Sequence, residues 1–267
     1  MADPRVRIRL LGGFKLEGPS GKPASPLSQR RAEGTLAVLA VSADLGCSRD
    51  RLVAFFWPES PEPRARHHLR DALYAIRQSL GRETVRSAGD TLRLDPSRVR
   101  SDVQDFARAL EEGRLADAVA LYRGPLLDGF HIGGARAFTE WVEGERTRLF
   151  RDRQQAVKEL AKRAERGERW DEAARWWGRA VAADRLNSRS VVRRMVALAR
   201  AGDRANAILE GEEHCRALQT ELELDPDPAF LEELDRIRQG EVGPTHFFTP
   251  LPDRPAGEDP PPEGSRE

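Results

Sequence analysis

The chain has 267 residues, 39% hydrophobic and 33% charged, and no stretch approaches the roughly 18 to 20 apolar residues of a membrane-spanning helix. Its two cysteines, Cys47 and Cys215, lie far apart and outside any cluster with metal-binding spacing. The first residues contain no apolar segment typical of a secretory signal. We therefore expect a reduced, cytoplasmic protein that makes no contact with a membrane.

The formal net charge is zero, but the charges are unevenly distributed. Residues 1–95 contain 16 basic and 11 acidic side chains, whereas residues 96–267 contain 28 basic and 33 acidic ones. A basic first part and an acidic remainder indicate two roles on one chain. Nearly all the basic residues are arginine, which favours bidentate contacts with phosphate or guanine, although GC-rich coding produces the same bias.

The first elements are predicted to be strands. Arginines at positions 5, 7 and 9 alternate with apolar residues at 6, 8 and 10, which is the period of a half-buried strand. Gly12 and Gly13 interrupt this run, and a second run, FKLE, follows. We predict a small antiparallel sheet.

Three helices are predicted next. The first spans about 28–43, the second follows the N-cap Ser48 and ends at Pro58, and the third spans 63–81. The apolar residues of the third helix share one face, namely Ala65, Leu69, Ala72, Leu73, Ile76 and Leu80. Its opposite side carries Arg66, His67, Arg70, Tyr74, Arg77 and Gln78.

A β-hairpin is predicted after the third helix. Two short alternating runs between Thr84 and Leu94 surround the turn Ala88–Asp90, and Arg86 and Arg93 flank that turn. Strands, three helices and a hairpin, with a basic outer face on the third helix, are typical of a winged helix-turn-helix that places this helix in the major groove. The alternative is an ordinary solvated basic surface.

The rest of the chain is predicted to be helical up to about Gln239. Gly113, Gly167 and Gly202 each begin a similar segment with an alanine five or six positions on, and the second interval is close to the ~34 residues of tetratricopeptide (TPR) repeats. Residues 241–267 contain seven of the 18 prolines and are predicted to be disordered. The expected domains are therefore 1–97, 98–240 and the tail 241–267.

No catalytic set is recognised in the sequence. The neighbouring His67 and His68 would point about 100° apart on a helix, and no second cluster supplies further metal ligands. Phosphate-loop, nucleophile-elbow and zinc-protease motifs are missing. We therefore expect a protein that is not an enzyme, with no cofactor and no metal ion.

Seven segments together resemble the SARP-type family of bacterial transcriptional activators. They cover roughly residues 5–240 and are IRLLGGFKLEG, SRDRLVAFFWPE, ARHHLRDALYAIRQSLG, LYRGPLLDGF, FTEWVEGERTRL, MVALARAGDRANAI and CRALQTELELDPDPAF. The resemblance implies a mostly α-helical protein, with a winged helix-turn-helix and a small antiparallel sheet followed by a TPR-like activator domain.

The resemblance also implies double-stranded DNA and RNA polymerase holoenzyme as partners, with homodimers on direct repeats. It implies DNA contacts by the helix from Arg64, by the wing and by the start of the first helix, at Arg64, Arg66, His67, Arg70, Tyr74, Arg77, Arg86, Arg93, Arg30 and Arg31. Two alternatives remain open: a TPR-like interaction scaffold whose N-terminal module does not read DNA, and an enzyme or nucleotide-dependent regulator.

Overall fold

The structure is a computed structural model that describes residues 6–18, 27 and 29–241. The chain divides into two compact units after Leu160. The expected domain boundary between residues 97 and 98 stays a prediction. The predicted disordered tail lies outside the described residues from position 242 onward.

The first unit alternates strands and helices. It contains β1 (Val6–Arg9), β2 (Lys15–Glu17), α1 (Arg30–Ser42), β3 (Cys47–Ser48), α2 (Arg49–Phe56), α3 (Glu62–Leu80), β4 (Val85–Ala88), β5 (Thr91–Leu94), β6 (Val99–Ser101), α4 (Asp102–Glu111) and α5 (Leu115–Leu121). The division after Leu160 falls within α6 (Arg136–Arg166), and the second unit continues with α7 (Trp170–Ala183), α8 (Ser188–Arg200), α9 (Arg204–Leu222) and α10 (Pro228–Gln239).

The strands form two three-stranded sheets. In the first, β1 lies between β2 and β6, and its antiparallel pairing with β2 confirms the prediction. β6 pairs with β1 in parallel, with Ile8 opposite Ser101, and sequence analysis missed this distant partner. In the second sheet, β5 lies between β3 and β4, and both pairings are antiparallel.

Helix α1 forms the centre of the first unit. Every residue from Ala32 to Ala40 is buried, and apart from Glu33 these side chains are apolar or small, as expected for a helix packed on all sides. Gly34 lets the neighbouring side chains approach, because a Cβ atom there would lie 2.8 Å from both Ile132 and Phe56. Phe56 in turn packs on Phe138 of α6, with ring centroids 4.9 Å apart. The predicted helices and hairpin are confirmed as a winged helix-turn-helix, formed by α1–α3 with β4 and β5.

The segment between α5 and α6 corrects the prediction of continuous helices. It returns to the first sheet, where Leu11 pairs with Leu126 and the Leu127 N–H donates to the Leu10 carbonyl at 2.7 Å. Pro125 has no N–H to donate and Gly124 has a low helical propensity, so this stretch favours an extended backbone.

The half-buried carboxylate of Asp102 joins the end of β1 to α4. The N–H groups of Leu10 and Leu11 donate to the two Asp102 oxygens at 2.9 and 3.1 Å. Burial raises the pKa of Asp102 to about 6, although both hydrogen bonds favour the charged form.

The second unit consists of packed helices, which confirms the predicted repeats. Gly202 precedes α9 with a φ of 89°, a conformation that glycine adopts without strain. After α6, however, Glu168 and not Gly167 takes the positive φ, at 55°. Within the described ranges, no helix is both long and apolar enough to cross a membrane.

Candidate nucleic-acid interface

Helix α3 packs through one face only. Pro63 stands in its first turn, and Gly81 ends it with a φ of 102°. The predicted apolar stripe is buried at Ala65, Leu69, Ala72, Leu73 and Ile76, while Leu80 is half-buried. The opposite side, which we call the α3 face, exposes Arg66, His67, Arg70 and Tyr74.

Arg70 and Tyr74 lie at the centre of the α3 face. Tyr74 is 65% exposed, and its Oη accepts a hydrogen bond from Gln78 Nε2 at 2.8 Å. Among the described residues, Arg70 has no ion-pair partner, so its guanidinium donors are available to a ligand. An amphipathic tyrosine beside an unpaired arginine suits a sugar-phosphate or a base edge.

Arg66 and His67 are held by acids. Arg66 Nη2 lies 2.7 Å from Glu62 Oε1 and 3.5 Å from Asp50 Oδ1. His67 Nε2 lies 3.4 Å from Asp71 Oδ2. Both side chains remain exposed, so any contact with a ligand would have to share or replace these pairs.

Arg77 connects α3 to the wing. Its side chain is half-buried, and Nη2 donates to the Val85 carbonyl of β4 at 3.1 Å. The predicted contact residue therefore also fixes the position of the hairpin relative to the helix.

The wing presents two arginines from directly opposite positions of β4 and β5. Arg86 faces Arg93 in the register, and both are exposed. Arg86 Nη2 lies 2.5 Å from Oδ2 of the buried Asp95, whereas Arg93 has no ion-pair partner within the described ranges. Hydrogen bonds from Ser97, followed by the interaction with Arg86, hold the pKa of Asp95 below its usual range. Asp95 therefore stays ionised and anchors Arg86.

Arg49 is a residue that sequence analysis missed. The predicted N-cap is confirmed, since the Ser48 hydroxyl accepts from the Arg51 N–H and α2 starts at Arg49. The Arg49 N–H donates to the Asp90 carbonyl at 3.1 Å, and its Nη2 donates to Ser87 Oγ at 3.2 Å. Arg49 thereby lies between the wing tip and the α3 face, where it lines the same open grooves as Arg70. The only sequence feature that marked Arg49 was its position as the first residue of α2, directly after the N-cap Ser48.

The remaining predicted residues, Arg30, Arg31 and Arg64, line a separate open groove of about 770 Å³. Arg31 bonds to backbone, donating to the Phe56 carbonyl at 3.0 Å and to the Gly133 carbonyl at 3.3 Å. Arg30 pairs with Glu33 at 3.2 Å and lies 4.7 Å above the Phe130 ring. Of these three arginines, Arg64 alone is both exposed and without an ion-pair partner in the described part of the chain.

The described residues contain no group of three or more His, Cys, Asp and Glu side chains placed to hold a metal ion. His68 instead stacks on Trp57, with ring centroids 6.0 Å apart and an interplanar angle of 21°.

Comparison with known proteins decides the family. The chain matches the family described as bacterial transcriptional activator domain over residues 92–238, which is more than half of its length. The chain belongs to this family of bacterial transcriptional activators, in its SARP type. The SARP-type activators are transcriptional regulators and not a class of enzymes.

One solved structure shares the fold of this SARP-type chain. It is "Mycobacterium tuberculosis EmbR in complex with low affinity phosphopeptide", with a TM-score of 0.66 and 21% sequence identity over 88% of this chain. This likeness concerns the fold alone, and the present chain covers 65% of the EmbR chain. No curated protein gives a significant match.

Proposed function

We propose that the chain binds specific double-stranded DNA sequences through the α3 face and the wing. The observation that carries this proposal is the one-sided packing of α3, which leaves Arg70 and Tyr74 exposed beside Arg49 and next to the hairpin. B-DNA has a major groove about 12 Å wide, which admits a helix, and arginine is the commonest reader of guanine.

The proposed contacts divide into base readers and phosphate binders. Arg66, His67, Arg70 and Tyr74 would face base edges or the adjoining backbone, whereas Arg49, Arg86 and Arg93 would bind phosphates beside the groove. Arg64 would reach the flanking backbone. Arg30, Arg31 and Arg77 are engaged with Phe130, with backbone carbonyls and with Val85, so for these three we propose a contribution through positive charge and through holding the fold.

We further propose that the bound protein recruits RNA polymerase holoenzyme in the cytoplasm, as homodimers on direct repeats. The second unit offers a surface for such contacts, because Leu209, Leu222, Leu224 and Leu231 are exposed there. Replacing Leu209 and Leu231 by serine should leave DNA affinity unchanged and reduce activation in a purified transcription reaction.

A selection from a random duplex pool tests the DNA-binding proposal. Purified full-length protein would be incubated with the pool at about 150 mM salt, where binding through phosphates alone is weak. Enrichment of a defined motif, repeated in direct orientation, is the expected result. An unenriched pool from folded protein would contradict the proposal and favour the TPR-like interaction scaffold.

A further inference from the structure

The two halves of the α3 face differ in their charged surroundings. At the first half, Arg66 contacts Glu62 and Asp50, and the adjoining groove is also lined by Asp90. At the second half, Arg70 lies beside Arg49 and Arg77, and Asp71 is the acid that lines the groove. The first half thus combines arginines with several carboxylates, whereas the second is mainly basic.

Both carboxylates hold the same nitrogen of Arg66. Glu62 Oε1 and Asp50 Oδ1 each approach Nη2, at 2.7 and 3.5 Å. Glu62 lies one helical turn before Arg66, and Asp50 comes from the first turn of α2, so the guanidinium is held from two elements. A guanidinium carries five N–H donors, and those of Nη1 and Nε have no further partner among the described residues.

We infer that Glu62 and Asp50 are positioning residues that direct Arg66 to a guanine and keep phosphate away from it. This inference rests on the proposed DNA binding. A phosphate carries a full negative charge and is repelled by two neighbouring carboxylates, whereas the O6 and N7 atoms of guanine are neutral acceptors that Arg66 can approach with its remaining donors. Arg70 has no such carboxylate partner among the described residues, so it is free to bind a phosphate or a guanine.

The salt dependence of binding distinguishes these two modes. Each arginine that neutralises a phosphate adds about 0.9 to the magnitude of the slope of log K against log salt concentration. Arg66→Ala should therefore abolish one guanine preference in the selected motif and leave the slope unchanged. A slope reduced by about one with the motif retained would overturn the inference.

Removal of the acids provides the converse test. In Glu62→Gln and in Asp50→Asn, Arg66 should turn to a phosphate, so that the slope steepens by about one, non-specific affinity rises several-fold and preference for that guanine falls about tenfold. Glu62→Asp keeps the charge but shortens the side chain, so it should also lose the preference because the carboxylate no longer reaches Arg66 Nη2. Glu83→Gln is the matched control, because it removes another exposed carboxylate charge, from the turn after α3, without touching Arg66.

The outcomes separate this inference from the function on which it rests. If the wild-type chain enriches no sequence, the proposed DNA reading fails and the inference falls with it. If the wild type enriches a motif that the Glu62, Asp50 and Arg66 variants all reproduce with equal preference, DNA reading stands and the inference is wrong. Equal thermal midpoints of all variants would show that the fold is intact.

Discussion

Helices α3 and α9 have the same length, 19 residues, but different surroundings. α3 buries a stripe of aliphatic side chains on one side and leaves the α3 face open. α9 packs against both α8 and α10, and its buried residues are Ala207, Gly211, His214 and Leu218. A helix packed on one side leaves a broad face for a ligand, whereas a helix packed on two sides leaves a narrower exposed side, on which Leu209 of α9 lies.

The charges of the two helices follow the same division. On α9, Glu210 pairs with Arg194, Glu212 with Arg238 and Glu221 with Arg185, so these acids tie the helix to its own unit. On α3, Arg70 has no such partner within the described ranges. Charge alone therefore does not identify a binding helix.

The largest expected effect on stability comes from truncating a buried side chain of α3. Leu69 is 2% exposed, and Leu69→Ala should lower the free energy of unfolding by about 3 kcal/mol through lost burial and the remaining cavity. Urea unfolding measures this change. Leu209→Ala on the open side of α9, where the side chain is 54% exposed, is the control and should cost about 0.5 kcal/mol or less. If Leu69→Ala and Leu209→Ala lowered the free energy of unfolding by similar amounts, the proposed difference between the two sites would be wrong.

A smaller effect is expected from filling the contact between α9 and its neighbours. A Cβ atom at Gly211 would lie 2.8 Å from Leu234 Cδ1 and 3.0 Å from Met195 Cε. Gly211→Leu should therefore destabilise the chain by about 2 kcal/mol through overpacking. Gly144→Leu on α6 is the matched control, since its Cβ would meet no atom within 4 Å and leucine favours helix. A lower melting midpoint for Gly211→Leu and an unchanged or higher one for Gly144→Leu are expected.

The next effect concerns binding through α3. Arg70→Ala should weaken binding to the selected motif by about tenfold and weaken non-specific binding much less, because a base contact is lost. Arg93→Ala on the wing should weaken both by similar factors, as expected for a phosphate contact. Titrations with labelled motif and scrambled duplex measure the two ratios. If both variants bind the motif as tightly as the wild type, the proposed surface is wrong.

The smallest expected effect is a pH dependence of stability that comes from α9, which buries a histidine, whereas the buried residues of α3 are all aliphatic. Ser188 Oγ and the Arg185 carbonyl contact the two ring nitrogens of buried His214, and burial lowers the pKa of the ring below its usual value. The unfolded chain then binds more protons than the folded one, so stability should fall as pH decreases from about 6.5 toward the lowered pKa.

His214→Gln isolates this contribution. Asp102 acts with the opposite sign, since its pKa of about 6 lies above that of an unfolded aspartate and stability rises as pH falls from about 6 toward 4. The difference between wild type and His214→Gln at pH 7 and pH 5 removes the Asp102 contribution. A difference that does not change between these pH values would contradict the assigned cause.

Local patterns in the sequence predicted most of the first unit. The apolar stripe of α3, the N-cap Ser48 and the hairpin after Thr84 all depend on residues close in sequence, and the structure confirms them. The parallel pairing of β1 with β6 and the return of Leu126 to Leu11 join residues about 90 or more positions apart. No periodicity in the sequence encodes such pairings.

The candidate site was predictable only in part. Spacing on α3 placed Arg66, His67, Arg70 and Tyr74 on one face, because a helix has a fixed period. It could not reveal that Arg31 would bond to carbonyls of Phe56 and Gly133, or that Arg49 would meet the wing. These roles depend on how separate elements pack.

The winged helix is completed by residues that follow it in the chain. Asp102 accepts hydrogen bonds from the backbone N–H groups that follow β1. Leu126 pairs with Leu11, and Phe138 packs on Phe56. A gene segment ending at residue 97 would encode α3 without these supports. Under the proposed function, we therefore expect changes of DNA specificity to arise by point substitutions on α3, such as at Arg66 and Arg70, and not by exchange of whole N-terminal segments between genes.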